Sequence, residues 1–467
     1  MTANPINKWS VLASVLIGTV MGPIDASVVY IALPAMSKFF KVAPATMSWV
    51  SMAYLLVMAS FLLSFGRLGD LMGFKKLFLA GLLFFVATSA LCGFAPSLGV
   101  LVLLRALQAV GAGMAMSMSS AIITAVFPPE ERGRALGLYA MIIALGLAAG
   151  PSLGGFLVST VGWRAIFFVN VPIGIIAFFW CLAVLPAIPG QGRRPFDWQG
   201  ALLAFVGLGT LLLFVNWLSA KGWVWSTILV GLIALVSLYT FIRLEHKLPE
   251  PMLDLTLFHS RVFSAANVAA LFNFLTQYVI VFVTPFLLQR ALDFPAARAG
   301  EIMTAFPLTV LIIAPLSGAL SDKLGQRWLA FAGSAVCTLA AAVLAVLSSG
   351  ATAWKVGLCL SAFGLGTGIF QSPNNSAVMG SVPRFRLGIA GSVLATTRNV
   401  GMVLGIVTAG AILNAAPLPH GTPAQGALGT PYLSGLTGAY LAAAIASVIA
   451  TVVTLLAHEA SSKQGQI

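Results

Sequence analysis

An all-α polytopic membrane protein of fourteen spans, arranged as six, two and six, is what this sequence predicts, and three observations carry that expectation. Hydrophobic residues make up 59% of the chain and charged residues 8%, with a mean hydropathy of +1.00, whereas soluble domains carry roughly 25% charge. Apolar windows of about 20 residues, the length that crosses a bilayer, recur along the whole chain. The chain also repeats itself, which divides those windows into two halves.

In order, the windows fall near 9–33, 47–66, 77–95, 98–124, 134–158, 164–187, 198–218, 225–244, 262–290, 298–320, 328–349, 353–378, 387–414 and 434–457. An even count puts both termini on one side. Sixteen of the 25 Lys and Arg residues lie in segments on that side and seven in loops opposite, so the positive-inside rule predicts cytoplasmic termini in a plasma (inner) membrane. The remaining two, Arg105 and Arg398, lie inside spans. A net charge of +13 would suggest nucleic acid in a soluble chain; distributed as orientation signals, it implies no such partner. Lys8 before an apolar run imitates a signal peptide, but the run is too long and has an acid near its end. Cys92, Cys181, Cys337 and Cys359 lie in apolar runs without metal-ligand spacing and read as small buried hydrophobes.

The first span, VLASVLIGTVMGPIDASVVYIAL at 11–33, carries one charge, Asp25. A charged group at membrane depth costs at least about 2.5–3.5 kcal/mol on insertion scales, so it needs a partner or a function. Either Asp25 serves an ion path or it pairs with a neighbouring helix. Gly22 and Pro23 just before it loosen the local backbone ladder. At 1.5 Å per residue, Asp25 lies about 12 Å and Arg105 about 10 Å below the same membrane face, so the two share a level.

The repeat links inner loops. GRLGDLMGFKK at 66–76 recurs as GALSDKLGQR at 318–327, placing Asp70 and Asp322 252 residues apart, and PPEERGRALG at 128–137 has a counterpart in PRFRLGIAG at 383–391. Six-helix halves at such an offset match parallel-repeat secondary transporters, whose substrate site lies between the halves. The expected division is a first bundle over 1–190, an inserted pair of helices over 191–257 and a second bundle over 258–467. LDLTLF at 253–258 reads either as a segment along the inner membrane surface or as a simple loop. Asp70 can meet Arg132 or Arg134, and Asp322 can meet Arg384 or Arg386, forming pairs that close an inner gate in one state and open it in another; as solvated loop charges they would matter little.

These motifs resemble the major facilitator superfamily, and within it the fourteen-helix drug:proton antiporters. GRLGDLMGFKK is similar to the superfamily signature between helices two and three, which has Arg where this chain has Leu71 and Phe74. Arg105, Gln108, Gly111 and Gly113 resemble the basic motif of helix four, with Ala109 in place of a glycine. GLAAGPSLGG at 146–155 resembles the antiporter motif of helix five, and DASVVYIALP with WRAIFFVNVPIG is similar to the fourteen-helix subgroup. The resemblance implies a major facilitator fold. Physically, Gly146, Gly150, Pro151, Gly154 and Gly155 let another helix approach closely, whether as static packing or at a moving interface.

Adding the repeat offset to Asp25 reaches Gln277, which with Asn273 offers hydrogen bonds amid aromatics for a bulky amphipathic molecule. Tyr30, Trp49, Tyr54, Gln108 and Asn170 extend this expected substrate-binding set. Arg398 either binds substrate or bonds polar groups such as Asn375, and Glu301 either lines an outer vestibule or caps its helix. The functional expectation is proton-driven export of small amphipathic compounds, as lipophilic cations, by a monomer, with Asp25 and Arg105 coupling the proton and no cofactor beyond the proton gradient. An uptake symporter would use the same fold. Against a membrane-embedded enzyme, His246, His259, His420 and His458 all fall in loops or tails, and no nucleophile–base or metal-ligand spacing occurs within the spans. A channel is disfavoured because no filter segment is present.

Overall fold

The computed structural model describes residues 7–186, 198–246, 255–347, 352–382, 387–415 and 430–459. Its first half contains α1 (Lys8–Phe40), α2 (Trp49–Met72), α3 (Phe74–Gly93), α4 (Leu98–Val126), α5 (Pro129–Thr160) and α6 (Asn170–Val184). The middle pair is α7 (Trp198–Lys221) and α8 (Trp225–Glu245). The second half contains α9 (Arg261–Phe286), α10 (Ala296–Leu324), α11 (Gln326–Leu347), α12 (Ala353–Gly380), α13 (Leu387–Ala415) and α14 (Thr430–Glu459). Among the described residues, thirteen helices are long and apolar enough to cross a membrane. The 24-residue α2 contributes a shorter described apolar stretch, Trp49–Met58.

Backbone hydrogen bonds satisfied within each segment explain why apolar runs in lipid become helices. Prolines do not stop them: α1 runs through Pro23 and Pro34 to Phe40, seven residues beyond the expected span. That extension is held where Phe39 and Phe40 pack on Trp163, at 5.6 Å each. Exposed Trp198 and Trp328 mark one level of the bundle, and exposed Trp223, Trp225 and Trp354 mark the other. These are the aromatic girdles of a bilayer. With Leu235 and Val236 turned outward between them, the chain is an integral multi-pass membrane protein.

The end of the bundle holding Lys8 is called proximal here and the opposite end distal. Lys8 Nζ pairs there with Glu131 Oε2 at 2.7 Å, joining the starts of α1 and α5. The repeat is visible in backbone conformation: Gly73 (φ 91°, ψ 139°) and Gly325 (φ 84°, ψ 143°), also 252 residues apart, end α2 and α10 at the proximal side. A side chain at either φ would be strained, which is why both turns use glycine. Within the middle pair, α7 packs against α8, α2 and α13, so it covers a seam between the halves. The expected boundary near residue 190 lies outside the described residues. Of the LDLTLF segment, the short helix Leu255–His259 buries Leu257 among Phe263, Ala266, Val378 and Val393, so this part is docked on the second half.

Glycines set the packing of α5. A Cβ on Gly150 or Gly154 would collide with Ser27 or Val28 of α1, while one on Gly155 would lie 2.5 Å from the Ala296 carbonyl oxygen of α10. One face of α5 therefore seals against its own half and the adjacent face against the other half. Further distal contacts join the halves: Ser152 and Thr304 hydroxyls at 2.7 Å, Ser159 Oγ accepting from Ala297 N at 3.0 Å, and Gln289 Nε2 donating to Ile31 O at 2.9 Å. Gln289 is presented by a wide π turn, Leu287–Ala291, continuing α9 past Pro285; such turns re-aim side chains within helices.

Candidate functional site

A cavity of about 1130 Å³ lies between the halves, on the proximal side of those contacts. Its wall is formed by α1 from Gly18 to Tyr30, α5 from Leu138 to Pro151, α9 from Phe274 to Val281, α10 from Met303 to Pro315 and α13 from Ala395 to Met402, with parts of α2, α3, α4 and α12. Most of this surface is apolar, including Phe85, Phe274, Phe306, Met58 and Met116. Polar groups are few: Thr19, Ser27, Gln277, Gln371, Asn399, Thr367, Arg398 and the tyrosines. An apolar pocket with a small number of polar groups is how a site holds an amphipathic ligand.

Behind the wall sits the buried charge. Arg105 Nη1 donates to Asp25 Oδ2 at 2.5 Å and to Gln108 Oε1 at 2.6 Å, and its Nε donates to the Val50 carbonyl at 3.3 Å. Gln108 Nε2 and Asn170 Nδ2 both donate to Asp25 Oδ1, at 3.1 and 3.0 Å. Asn170 also reaches Ser89 Oγ at 3.1 Å, which in turn donates to the Phe167 carbonyl at 2.9 Å. Local structure supplies these positions. Arg105 and Gln108 stand three residues apart on one face of α4, and Asn170 opens α6 after the short helix Ala165–Phe168. Asp25 is 0% exposed and Arg105 1%. Removing such a pair from water is offset only when additional hydrogen bonds saturate it, and here the Gln108 and Asn170 side chains and the Val50 carbonyl do so.

Tyr54 separates the pair from the cavity. Its ring lies 4.3 Å from Arg105 Cζ on one side and forms cavity wall on the other. A cation over an aromatic face is attracted by the ring quadrupole. Tyr30 lines the cavity too, and its ring meets Tyr278 of the other half edge-on at 5.8 Å.

The sequence-predicted substrate residues thus separate into groups. Tyr30, Tyr54, Gln277 and Arg398 line the cavity. Gln108 and Asn170 do not; they hold Asp25. Asn273 is fully buried away from the wall, its Nδ2 3.9 Å from Cys337 Sγ. Trp49 is partly buried outside the lining, and Glu301 is exposed and away from it. Asn375 stands behind the wall and accepts from Arg398 Nη2 at 2.5 Å. The expectation of lipophilic cations as substrates meets a lining that, among the described residues, contains no carboxylate: Asp25 is paired with Arg105, and Glu301 is exposed away from the wall. The side chains of Asp70, Arg132, Arg134 and Asp322 lie outside the described residues, as do Arg384 and Arg386 altogether. Unforeseen members are Ser89, Tyr278 and Gln371; Tyr278 was signalled only by its adjacency to Gln277. All four cysteines are free and buried, as their apolar settings suggested.

A family model described as Major Facilitator Superfamily matches residues 15–197, 197–406 and 266–466. The riboflavin transporter RibZ of Clostridioides difficile (strain 630) is 35% identical over 399 residues, covering 85% of this chain and 86% of that protein. The multidrug resistance protein Stp of Mycobacterium tuberculosis (strain CDC 1551 / Oshkosh) is 33% identical over 406 residues, covering 85% and 74%. The multidrug transporter protein MdtP of Bacillus subtilis (strain 168) is 29% identical over 407 residues, covering 86% and 75%. In fold, the chain is similar to a crystal structure of a bacterial homolog to the human lysosomal transporter Spinster in an inward-facing and occupied conformation, with a TM-score of 0.69 at 17% identity over 98% of both chains. A helical bundle in two repeated halves around a central cavity and a match of this extent lead to one assignment: the chain belongs to the major facilitator superfamily and is a membrane transporter of small molecules, not an enzyme.

Proposed function

We propose that this transporter exports small amphipathic compounds in exchange for protons, working as a monomer of the fourteen-helix subgroup in the inner membrane with both termini cytoplasmic. The observation that carries the proposal is the Asp25–Arg105 pair immediately behind Tyr54 of the cavity wall. A proton on Asp25 and the ion pair to Arg105 are alternatives, since the carboxyl cannot hold both at full strength. Movement of Tyr54 by a bound molecule changes the surroundings of Arg105 and so biases that choice. Because each ligand shifts the other's equilibrium by the same factor, proton and substrate exchange by linkage.

With the proximal end cytoplasmic, the distal contacts of α5 with α10 and of Gln289 with α1 close the outer side, and the cavity belongs to the inward-open half of the cycle. Asp70 with Arg132 or Arg134, and Asp322 with Arg384 or Arg386, are the proposed inner gate. Rocking of one bundle against the other exchanges the two closures. The test is transport in proteoliposomes with an imposed pH gradient: substrate-dependent proton movement that is lost in Asp25→Asn is expected, and transport indifferent to the gradient would refute the coupling.

A further inference from the structure

We infer that the cavity takes an amphipathic organic anion, whose aromatic or aliphatic body fills the apolar wall and whose carboxylate or sulfonate is held by Arg398. This rests on the cavity being the transport site proposed above and specifies its substrate class. The two intramembrane arginines are in opposite situations. Arg105 is neutralised by Asp25 and screened from the cavity by Tyr54. Arg398 lines the cavity and, among the described residues, makes no ion pair and is the only lining residue with a formal charge at neutral pH.

Its hydrogen bonding is also incomplete. Nη2 donates to Asn375 Oδ1 from behind the wall, Phe274 lies 5.4 Å from Cζ, and Nε is buried without an acceptor among the described residues. A guanidinium at membrane depth, here partly buried, normally finds a counter-ion or carbonyls. The planar fork matches a carboxylate or sulfonate in two parallel bonds. Gln277 and Gln371 stand on the same wall, their amides 3.5 Å apart, and supply neutral hydrogen-bonding groups beside it. A cation in this cavity would meet like charge from Arg398 in a low-dielectric setting, with no carboxylate among the described lining residues to offset it.

The test compares three fluorescent probes on the full chain in nanodiscs, each against empty nanodiscs of the same lipid: anilinonaphthalene sulfonate, the uncharged phenylnaphthylamine with the same ring system, and a cationic styrylpyridinium dye. The expected result is binding of the sulfonate about tenfold or more tighter than the uncharged probe, the factor that about 1.4 kcal/mol gives. Arg398→Gln should bring sulfonate affinity down to that of phenylnaphthylamine while leaving the latter within about twofold, well inside the tenfold window; Arg398→Lys should keep the preference for the anion. The inference is overturned if wild-type protein fails to bind the sulfonate, binds the cation more tightly, or if Arg398→Gln weakens all three probes equally. Anion preference without substrate-driven proton movement in proteoliposomes would overturn the antiport reading and leave this selectivity standing.

Discussion

Adding one methyl group at Gly155 should hold the distal side open. A Cβ there would sit 2.5 Å from Ala296 O and 3.0 Å from Ala297 Cα, both backbone atoms of the opposite half, so no side-chain rotation relieves the overlap. Overpacking of a tight interface costs typically about 1–3 kcal/mol. Because the cost arises only when the distal contacts are made, it shifts the ratio of closed to open states by roughly five- to 150-fold. Gly154→Ala is the control: its Cβ meets Val28 of α1, within the same half, and should lower stability without redistributing states. The assay is labelling of Val281→Cys, a cavity-wall position on α9, with a membrane-impermeant maleimide from each side. The four native thiols are buried and give a low background. Increased labelling from the distal side in Gly155→Ala is expected. Unchanged distal labelling in a folded, membrane-inserted variant would refute the reasoning that this contact seals the transporter.

Asp25→Asn should abolish pH-driven accumulation while the protein remains folded in the membrane; full accumulation would remove Asp25 as the coupling site. Arg105→Ala should destabilise by about 3–5 kcal/mol, the usual cost of leaving one buried partner uncompensated, and Asp25→Asn combined with Arg105→Gln should recover part of it in thermal melting. A double variant no more stable than Arg105→Ala would count against the pair as a unit. Tyr54→Leu should weaken the dependence of transport on the pH gradient more than it weakens substrate binding, which paired flux and binding measurements resolve; equal losses would assign Tyr54 to binding alone. Asp70→Asn should slow turnover more than it lowers affinity, and loss of binding with unchanged turnover of bound substrate would contradict the gate.

Depth along each helix was legible in the sequence, and direction around it much less so. Counting residues put Asp25 and Arg105 at one level, and the structure joins them. Hydropathy windows do not report which way a polar side chain points, so Gln108 and Asn170 read as substrate ligands in the sequence although both turn toward Asp25. The spacing of Arg105 and Gln108 on one face of α4 was the available sign. Gly154 and Gly155 show the same limit: adjacent residues of one motif, about 100° apart on the helix, serve different interfaces. Glu301 was placed by proximity to the membrane edge, which says nothing of whether it faces the cavity or the exterior. Offsetting Asp25 by the repeat length did reach a cavity residue, Gln277, because the two halves keep equivalent turns at Gly73 and Gly325.

Every bond described for Asp25 goes to its own half of the molecule, to α4 and α6. Its charge state therefore does not act by tying or untying the two halves directly; it acts on the shape of α1. That helix is weakened beside the acid by Pro23, and Ser27, one turn beyond, lies against Gly146 and Gly150 of α5. The adjacent face of α5 is the one that meets α10. A change that begins as a proton on one carboxyl thus has a mechanical route to the far bundle, through two helices used as a crank, and a single stiffening substitution anywhere along that crank would separate proton binding from movement while leaving both sites intact.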